Sequence, residues 1–283
     1  NETFRAPFRQ NTRGDPIWRE ACRNMITAER FGEVCRKMQP SCRSKNTPLT
    51  NLVNRYLFKP TAMDIVERKS LRSQLGDRYK TYLMEAHGFE QVDLTYPGVQ
   101  RIQGFPMLGA TPDAKVNVQR EGATPRYVVI FRECRSLGLR RLNDAITRGE
   151  ASVPIRQRRT TDGNNEYYLL DNERRDASDI WYEVEGLLSA YPDADACHFV
   201  AFGKTEQDVI HVHINRPERY NKVTDEILGI LRDFYYKAIL PELAHPRKEQ
   251  GFDLRTECLS EEIVNQLHQR ILPANNQAHL PEA

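Results

Sequence analysis

Two carboxylates near the middle of the chain have the type and spacing for metal chemistry. Asp113 lies in GATPDAKV and Glu133 in VVIFRECR, twenty residues further on. Neighbouring strands can bring such a pair together to hold Mg²⁺ or Mn²⁺, which polarises a phosphodiester and activates water. A lysine normally completes the set. Lys115, two residues beyond Asp113 on the same strand face, is the candidate nearest in sequence. The spacing is a weak signal by itself, since strand ends often carry charge. His211 and His213 alternate in VIHVHI and so share a strand face, a spacing zinc can use. No third ligand stands nearby, so a packed or exposed strand face is the preferred reading. Arg140, Arg141, Arg156, Arg158 and Arg159 form basic clusters that either track a phosphate backbone or line a solvated loop.

The elements that must position these residues follow from periodicity and punctuation. Asp15 and Pro16 predict a helix start, and a second helical segment follows Thr27 in TAERFGEVCRKM. Residues 39–48 are turn-rich and read as a loop. From Thr61 to about His87 the stripe Leu71, Leu75, Tyr79, Leu83 and Ala86 predicts a helix, with Gly88 as its C-terminal cap. The period then changes, and VDLTYPGVQRI, PDAKVNVQ and RYVVIFREC read as consecutive strands. A short helix in RRLNDAITRG, a polar loop in IRQRRTTDGNNE and a short strand in EYYLL follow. Asp179 to Tyr191 reads as helix, ACHFVAFGK and DVIHVHINR as a strand pair, and Asp225 to Leu243 as a last amphipathic helix. This order predicts an α/β (α+β) domain, a central mixed β-sheet flanked by helices. The expected boundaries are an N-terminal extension over 1–15, one domain over 16–244 and a C-terminal extension over 245–283.

Composition narrows the classes. The 283 residues are 39% hydrophobic and 28% charged, an ordinary globular balance, and no apolar run approaches the roughly 18 residues of a membrane span. A net charge of +2 excludes a strongly basic nucleic-acid binder but leaves room for a local basic groove. The six cysteines show no CxxC pair and read as reduced thiols, which predicts an intracellular protein, nuclear or cytoplasmic. The chain starts at Asn1 with no signal-like segment and reads as a piece of a longer protein.

Five blocks taken in order resemble the lambda-exonuclease (YqaJ-type) nuclease family, of the PD-(D/E)xK superfamily. TRGDPIWREACRNMITAERFGEV is similar to its opening, in which a Trp precedes R-x-G-x-ITAS. LGATPDAKV is similar to its LGASPDG strand, and FRECRSL to its E-x-K-C-P strand. WYEVEGLL is similar to its Y-Y-Q-V-Q-G-Q-M helix, and CHFVAFGK, VIHVHI and FYYKAILPELA to its closing strands and last helix. The blocks cover roughly Arg13 to Ala244.

The resemblance implies a restriction-endonuclease-like core and a metal-dependent nuclease acting on nucleic-acid ends. It puts Asp113 and Glu133 at the metal-holding positions, but several others depart from the family pattern. Arg135 stands for the ExK lysine and, unlike lysine, cannot lose its proton. The helix glutamate, counted from Gly76, becomes Lys80, with Glu85 the nearest alternative pointing some 140° away. Lys80 is expected to take the metal's place and pair with both carboxylates. The family's two glutamines become Glu183 and Glu185, one of them a partner for Arg135 or Lys80. In the phosphate-binding opening, Cys22 replaces an Arg and Glu29 a Ser, while Thr27 is kept and Arg23 lies beside it. Arg23, Thr27, Arg156, Arg158 and Arg159 are the candidate nucleic-acid contacts.

These departures predict a catalytically degenerate nuclease fold without a cofactor, serving as a scaffold for a protein partner or for DNA or RNA. The alternative is an active nuclease that binds Mg²⁺ or Mn²⁺ through Asp113 and Glu133 and uses Lys115 or Arg135. Relatives can form rings, so oligomers enter as a possibility carried by the resemblance alone.

Overall fold

The computed structural model describes residues 21–22, 24–38, 65–119, 124–134, 136–150, 155–159, 161, 165–169, 179–205, 208–216 and 220–244. The helix expected from Pro16, the loop over 39–48, the first turn of the helix expected from Thr61 and both extensions lie outside them.

The chain enters through a two-residue strand β1 (Ile26–Thr27) and helix α1 (Ala28–Lys37), then the long helix α2 (Ile65–His87). Strands β2 (Gln91–Thr95), β3 (Gln100–Ile102), β4 (Phe105–Ala110), β5 (Ala114–Gln119) and β6 (Arg126–Glu133) follow. Helix α3 (Ser136–Arg148), strands β7 (Ile155–Arg159) and β8 (Asn165–Leu169) and helix α4 (Asp179–Ala190) lead to β9 (Ala196–Phe202) and β10 (Val209–Asn215). Helix α5 (Tyr220–Phe234), a π-helical turn (Tyr235–Ile239) and α6 (Leu240–Ala244) close the described chain.

The central sheet has the order β10-β9-β6-β5-β2. β6 runs parallel to β9, and the other three pairings are antiparallel, so the sheet is mixed as expected. Two of its three inner strands, YVVIF in β6 and ACHFVAF in β9, are buried on both faces and mostly apolar because helices cover both sides. The edge strands alternate instead: β10 buries Ile210, Val212 and Ile214, and β2 buries Val92. β1, β4 and β3 form a second, smaller sheet, and β7 and β8 a hairpin.

The two faces carry separate cores. On one, Leu75, Tyr79 and Leu83 of α2 meet Val116, Val129, Phe131, Val200 and Phe202. On the other, Phe31 and Val34 of α1, Leu187 and Leu188 of α4, and Leu231 and Phe234 of α5 close over Val128, Ile130 and Phe199. Helices α1 and α4 touch at Gly186, where an added Cβ would lie 2.6 Å from the Ala28 Cβ and 2.8 Å from the Phe31 ring. Gly88 ends α2 with φ +65°, the left-handed cap its position predicts.

Four local readings are corrected. Residues 155–159, expected in a loop, pair antiparallel with β8, from Ile155↔Leu169 to Arg159↔Asn165. The basic composition hid an anchor, because Ile155 is fully buried. β1 is too short to show a period, yet it pairs parallel with Leu108 and Gly109 of β4. Helix α3 starts at Ser136, ahead of the expected RRLNDAITRG segment. The last helix starts at Tyr220 and is interrupted by the π-helical turn, in which the Leu240 N–H donates to the Tyr235 carbonyl. Pro241 follows at once; it lacks an N–H and its ring crowds the carbonyl one turn back, which favours widening of the turn before it.

None of the described helices is long and apolar enough to cross a membrane. Among the described residues, Cys22, Cys35, Cys134 and Cys197 stand as thiols and not as disulfides.

Candidate functional site

Asp113 is set by β-sheet pairing on either side of it. Its N–H donates to the Val129 carbonyl at 2.8 Å, and its carboxylate accepts from the Phe131 N–H at 2.8 Å. Both bonds go to β6, so the residue is locked against the central strand just before β5 begins. It is 5% exposed.

The cation beside it is Arg132. Along β6, Val128, Ile130 and Arg132 share the face that packs against α1 and α4. There Arg132 Nη1 lies 3.8 Å from the Asp113 Oδ2, and Nη2 donates a short hydrogen bond to the Glu183 Oε2. Nη1 also donates to the Phe131 carbonyl at 3.0 Å. Glu183 is 4% exposed, and Glu185, two residues further along α4, is buried as well. Burial by itself would lower the Arg132 pKa, but the Glu183 and Asp113 carboxylates outweigh it and raise it. The Cys197 thiol next to this group is pushed well up, by burial first and then by the Glu183 charge.

The result is a permanent cation held by buried carboxylates from two elements. An arginine so placed compensates their charge without titrating, and each of its terminal nitrogens donates to a protein acceptor. Such a group holds its cleft together but supplies no proton acceptor.

Other expected site residues lie elsewhere. Lys80 is exposed, which corrects the expectation that it takes the metal's place: the helical period buries Leu75, Tyr79 and Leu83, and Lys80 falls beside that stripe. Glu85 is exposed too. Glu133 is exposed at the end of β6 and, as the residue after Arg132, belongs to the opposite face of the strand. Lys115 is half-buried but donates to Asp193 Oδ2 at 2.6 Å, and so is spent on the turn after α4 rather than on Asp113. Among the described residues, no group of three or more His, Cys, Asp or Glu side chains is arranged to hold a metal ion. Arg135 and Arg23 lie outside the described residues.

In the opening motif Thr27 is buried at the end of β1, while Cys22 and Glu29 are half-buried. Of the basic run, Arg156 is engaged by the Gly149 carbonyl at 3.0 Å and the Glu150 carbonyl at 3.3 Å. Arg158 and Arg159 are exposed, with Arg158 lying over the Tyr168 ring.

Reasoning from motifs missed Arg132. Its signal was available in the period-two face that it shares with Val128 and Ile130, where a charge must find a buried partner. It also missed His198 and His87, which join His211 and His213 in a cluster on the α2 face of the sheet. The preferred reading of His211 and His213 as members of a packed strand face agrees with this arrangement.

No protein-family model and no curated protein matches the sequence. Among solved structures, the fold is similar to an alkaline exonuclease, LHK-Exo, from Laribacter hongkongensis, with a TM-score of 0.51 and 12% identity. A second structure, LHK-Exo in complex with dAMP, gives 0.50 and 12%. Each match covers 83% of this chain and 97% of that one. At this identity the likeness establishes the mixed α/β fold and nothing of the chemistry.

Proposed function

We propose that this chain is a nuclease-fold module that does not cleave nucleic acid, formed by residues 16–244, and that it acts by binding a nucleic acid or a protein partner. The observation that carries this reading is the Arg132 guanidinium between Asp113 and Glu183. A nuclease of this chemistry needs carboxylates free to hold a divalent cation and a group able to take a proton. Here the carboxylate at the metal position is shared with a fixed organic cation. Glu133 and Lys115, which would complete the set, are respectively exposed and paired with Asp193.

The rival reading is an active Mg²⁺- or Mn²⁺-dependent nuclease built on Asp113, with the activity that the name of the similar alkaline exonuclease carries. End-labelled duplex DNA, single-stranded DNA and RNA incubated with the protein and 10 mM-class Mg²⁺ or Mn²⁺ separate the two. The proposal expects no cleavage above a blank; cleavage lost in Asp113→Asn overturns it. Filter binding against salt then assigns the partner class. A steep salt slope, reduced in Arg158→Gln/Arg159→Gln, marks a nucleic-acid ligand, and absence of binding marks a protein partner.

A further inference from the structure

The α2 face of the sheet holds a second group of titratable side chains that the cleft does not use. Tyr79 of α2 hydrogen-bonds through its hydroxyl to the His198 Nδ1 on β9. His198 Nε2 lies 2.7 Å from His213 Nδ1 on β10, and His213 Nε2 lies 2.8 Å from Asn215 Oδ1. The chain runs from a fully buried hydroxyl to the exposed His213.

With Asn215 Oδ1 accepting, neutral rings satisfy this chain: His213 donates from Nε2 and accepts at Nδ1, and His198 donates from Nε2 and accepts the Tyr79 proton at Nδ1. A proton added to His198 at Nδ1 turns that atom into a donor to the Tyr79 oxygen, and the Tyr79 proton, in a fully buried site, loses its acceptor.

His211 is next to this chain, its ring 4.6 Å from His198, 6.0 Å from Tyr79, 5.5 Å from Tyr82 and 5.4 Å from His87. Its Nε2 is buried and has no hydrogen-bond partner. Tyr127 of β6 stacks on His198 at 4.1 Å, Phe89 stacks on His87, and Tyr167 of β8 lies near Tyr82. Lys80 and Glu85 of α2 and Glu90 after it are exposed. Arg78 is committed to the Gly203 and Thr205 carbonyls, so it offers the cluster no proton acceptor.

We propose that this histidine cluster is an acid-sensitive latch, which holds α2 on the sheet while its rings are neutral and releases it when they are protonated. Tyr79, Tyr82 and His87 are contributed by α2, and among the described residues no other helix contributes to the core on this face. Undocking α2 uncovers the face without disturbing the other core, where α1, α4 and α5 lie. The latch stands independently of the reading of the cleft.

The sign follows from the groups' positions. Burial, followed by the charges of neighbouring histidines, lowers the pKa of His198 well below its ordinary value and that of His211 to about 3. Released histidines titrate near 6.5, so opening takes up protons below that pH. Docking is complete above about pH 6.5 and weakens as pH falls towards about 3.

Amide hydrogen exchange on the whole chain at pH 7.5, 6 and 5 tests the latch. Uptake of two protons by the deeply buried His198 and His211, with a smaller share from His87, predicts that protection in α2 falls on the order of 100-fold per pH unit below 6. Global unfolding takes up the same protons, so protection in α4 falls in parallel but stays above that of α2 at each pH. In His211→Gln the dependence on pH is about 10-fold per unit weaker. Protection in α2 that does not change with pH, or that equals the protection of α4 at every pH, overturns the proposal. The wild-type comparison of α2 with α4 decides the matter even where the variant does not fold.

Discussion

Arg132 on β6 and Glu183 on α4 meet in a short hydrogen-bonded ion pair, joining the central strand to the helix across 51 positions of sequence. Asp113 lies 3.8 Å from the same guanidinium on the other side. One cation thus compensates carboxylates from two elements, and this assembly takes the place of a metal-centred one in the proposed account.

Replacing Arg132 with Gln takes from the buried Asp113 and Glu183 the counter-charge that Arg132 supplies. Breaking a buried pair costs about 3–5 kcal/mol, and the lower end applies because the Arg132 side chain is 36% exposed. Denaturant titration is expected to show a loss of about 3 kcal/mol. The double variant Arg132→Met/Glu183→Met removes that pair but leaves Asp113 without the charge of Arg132, so it recovers part of that loss. If the double variant is no more stable than Arg132→Gln, the pair is not what couples these elements.

Gly186→Ala tests the approach of α1 to α4. The new methyl would lie 2.6 Å from the Ala28 Cβ and 2.8 Å from Phe31, neither of which has room to turn away in a closed core. Overpacking of this kind costs about 1–3 kcal/mol. Thermal unfolding of Gly186→Ala should show that loss, and pairing it with Phe31→Leu should relieve part of it.

The sequence made some of this visible and hid the rest for physical reasons. The helix to His87, its Gly88 cap, the strands around Asp113 and the pair ending in VIHVHI were legible because period and punctuation agreed there. β1 was not legible, since two residues carry no period, and the 155–159 strand was masked by its arginines. At the site, motif spacing singled out Asp113, and the structure buries it. It then attached Lys80 to Asp113, because a count along a helix says nothing of which face is buried. The apolar stripe of Leu75, Tyr79 and Leu83, already in hand, argued that Lys80 points away. Arg132 escaped notice because the family motif directs attention to Glu133 and Arg135 on either side of it.

Lys115 and Asp193 offer a pH prediction. The hydrogen bond from Lys115 and, against the smaller effect of burial, its charge lower the Asp193 pKa below its ordinary value. The pair's contribution is therefore present above about pH 3.8, the unfolded value, and is lost as pH falls through the lower folded value. Both side chains are partly in water, so Lys115→Ala should cost under about 1 kcal/mol at pH 7 and nothing near pH 2. Denaturant titrations at the two pH values check this, and a loss of several kcal/mol at pH 7 would show that Lys115 has a larger role than this ion pair.

The most direct test of the central claim is a titration of the protein with Mn²⁺, followed by the electron spin resonance of free Mn²⁺. The account predicts no stoichiometric binding below about 1 mM, because the Asp113 and Glu183 carboxylates are held by Arg132. Tight binding of one or two ions per chain, abolished by Asp113→Asn, would contradict it.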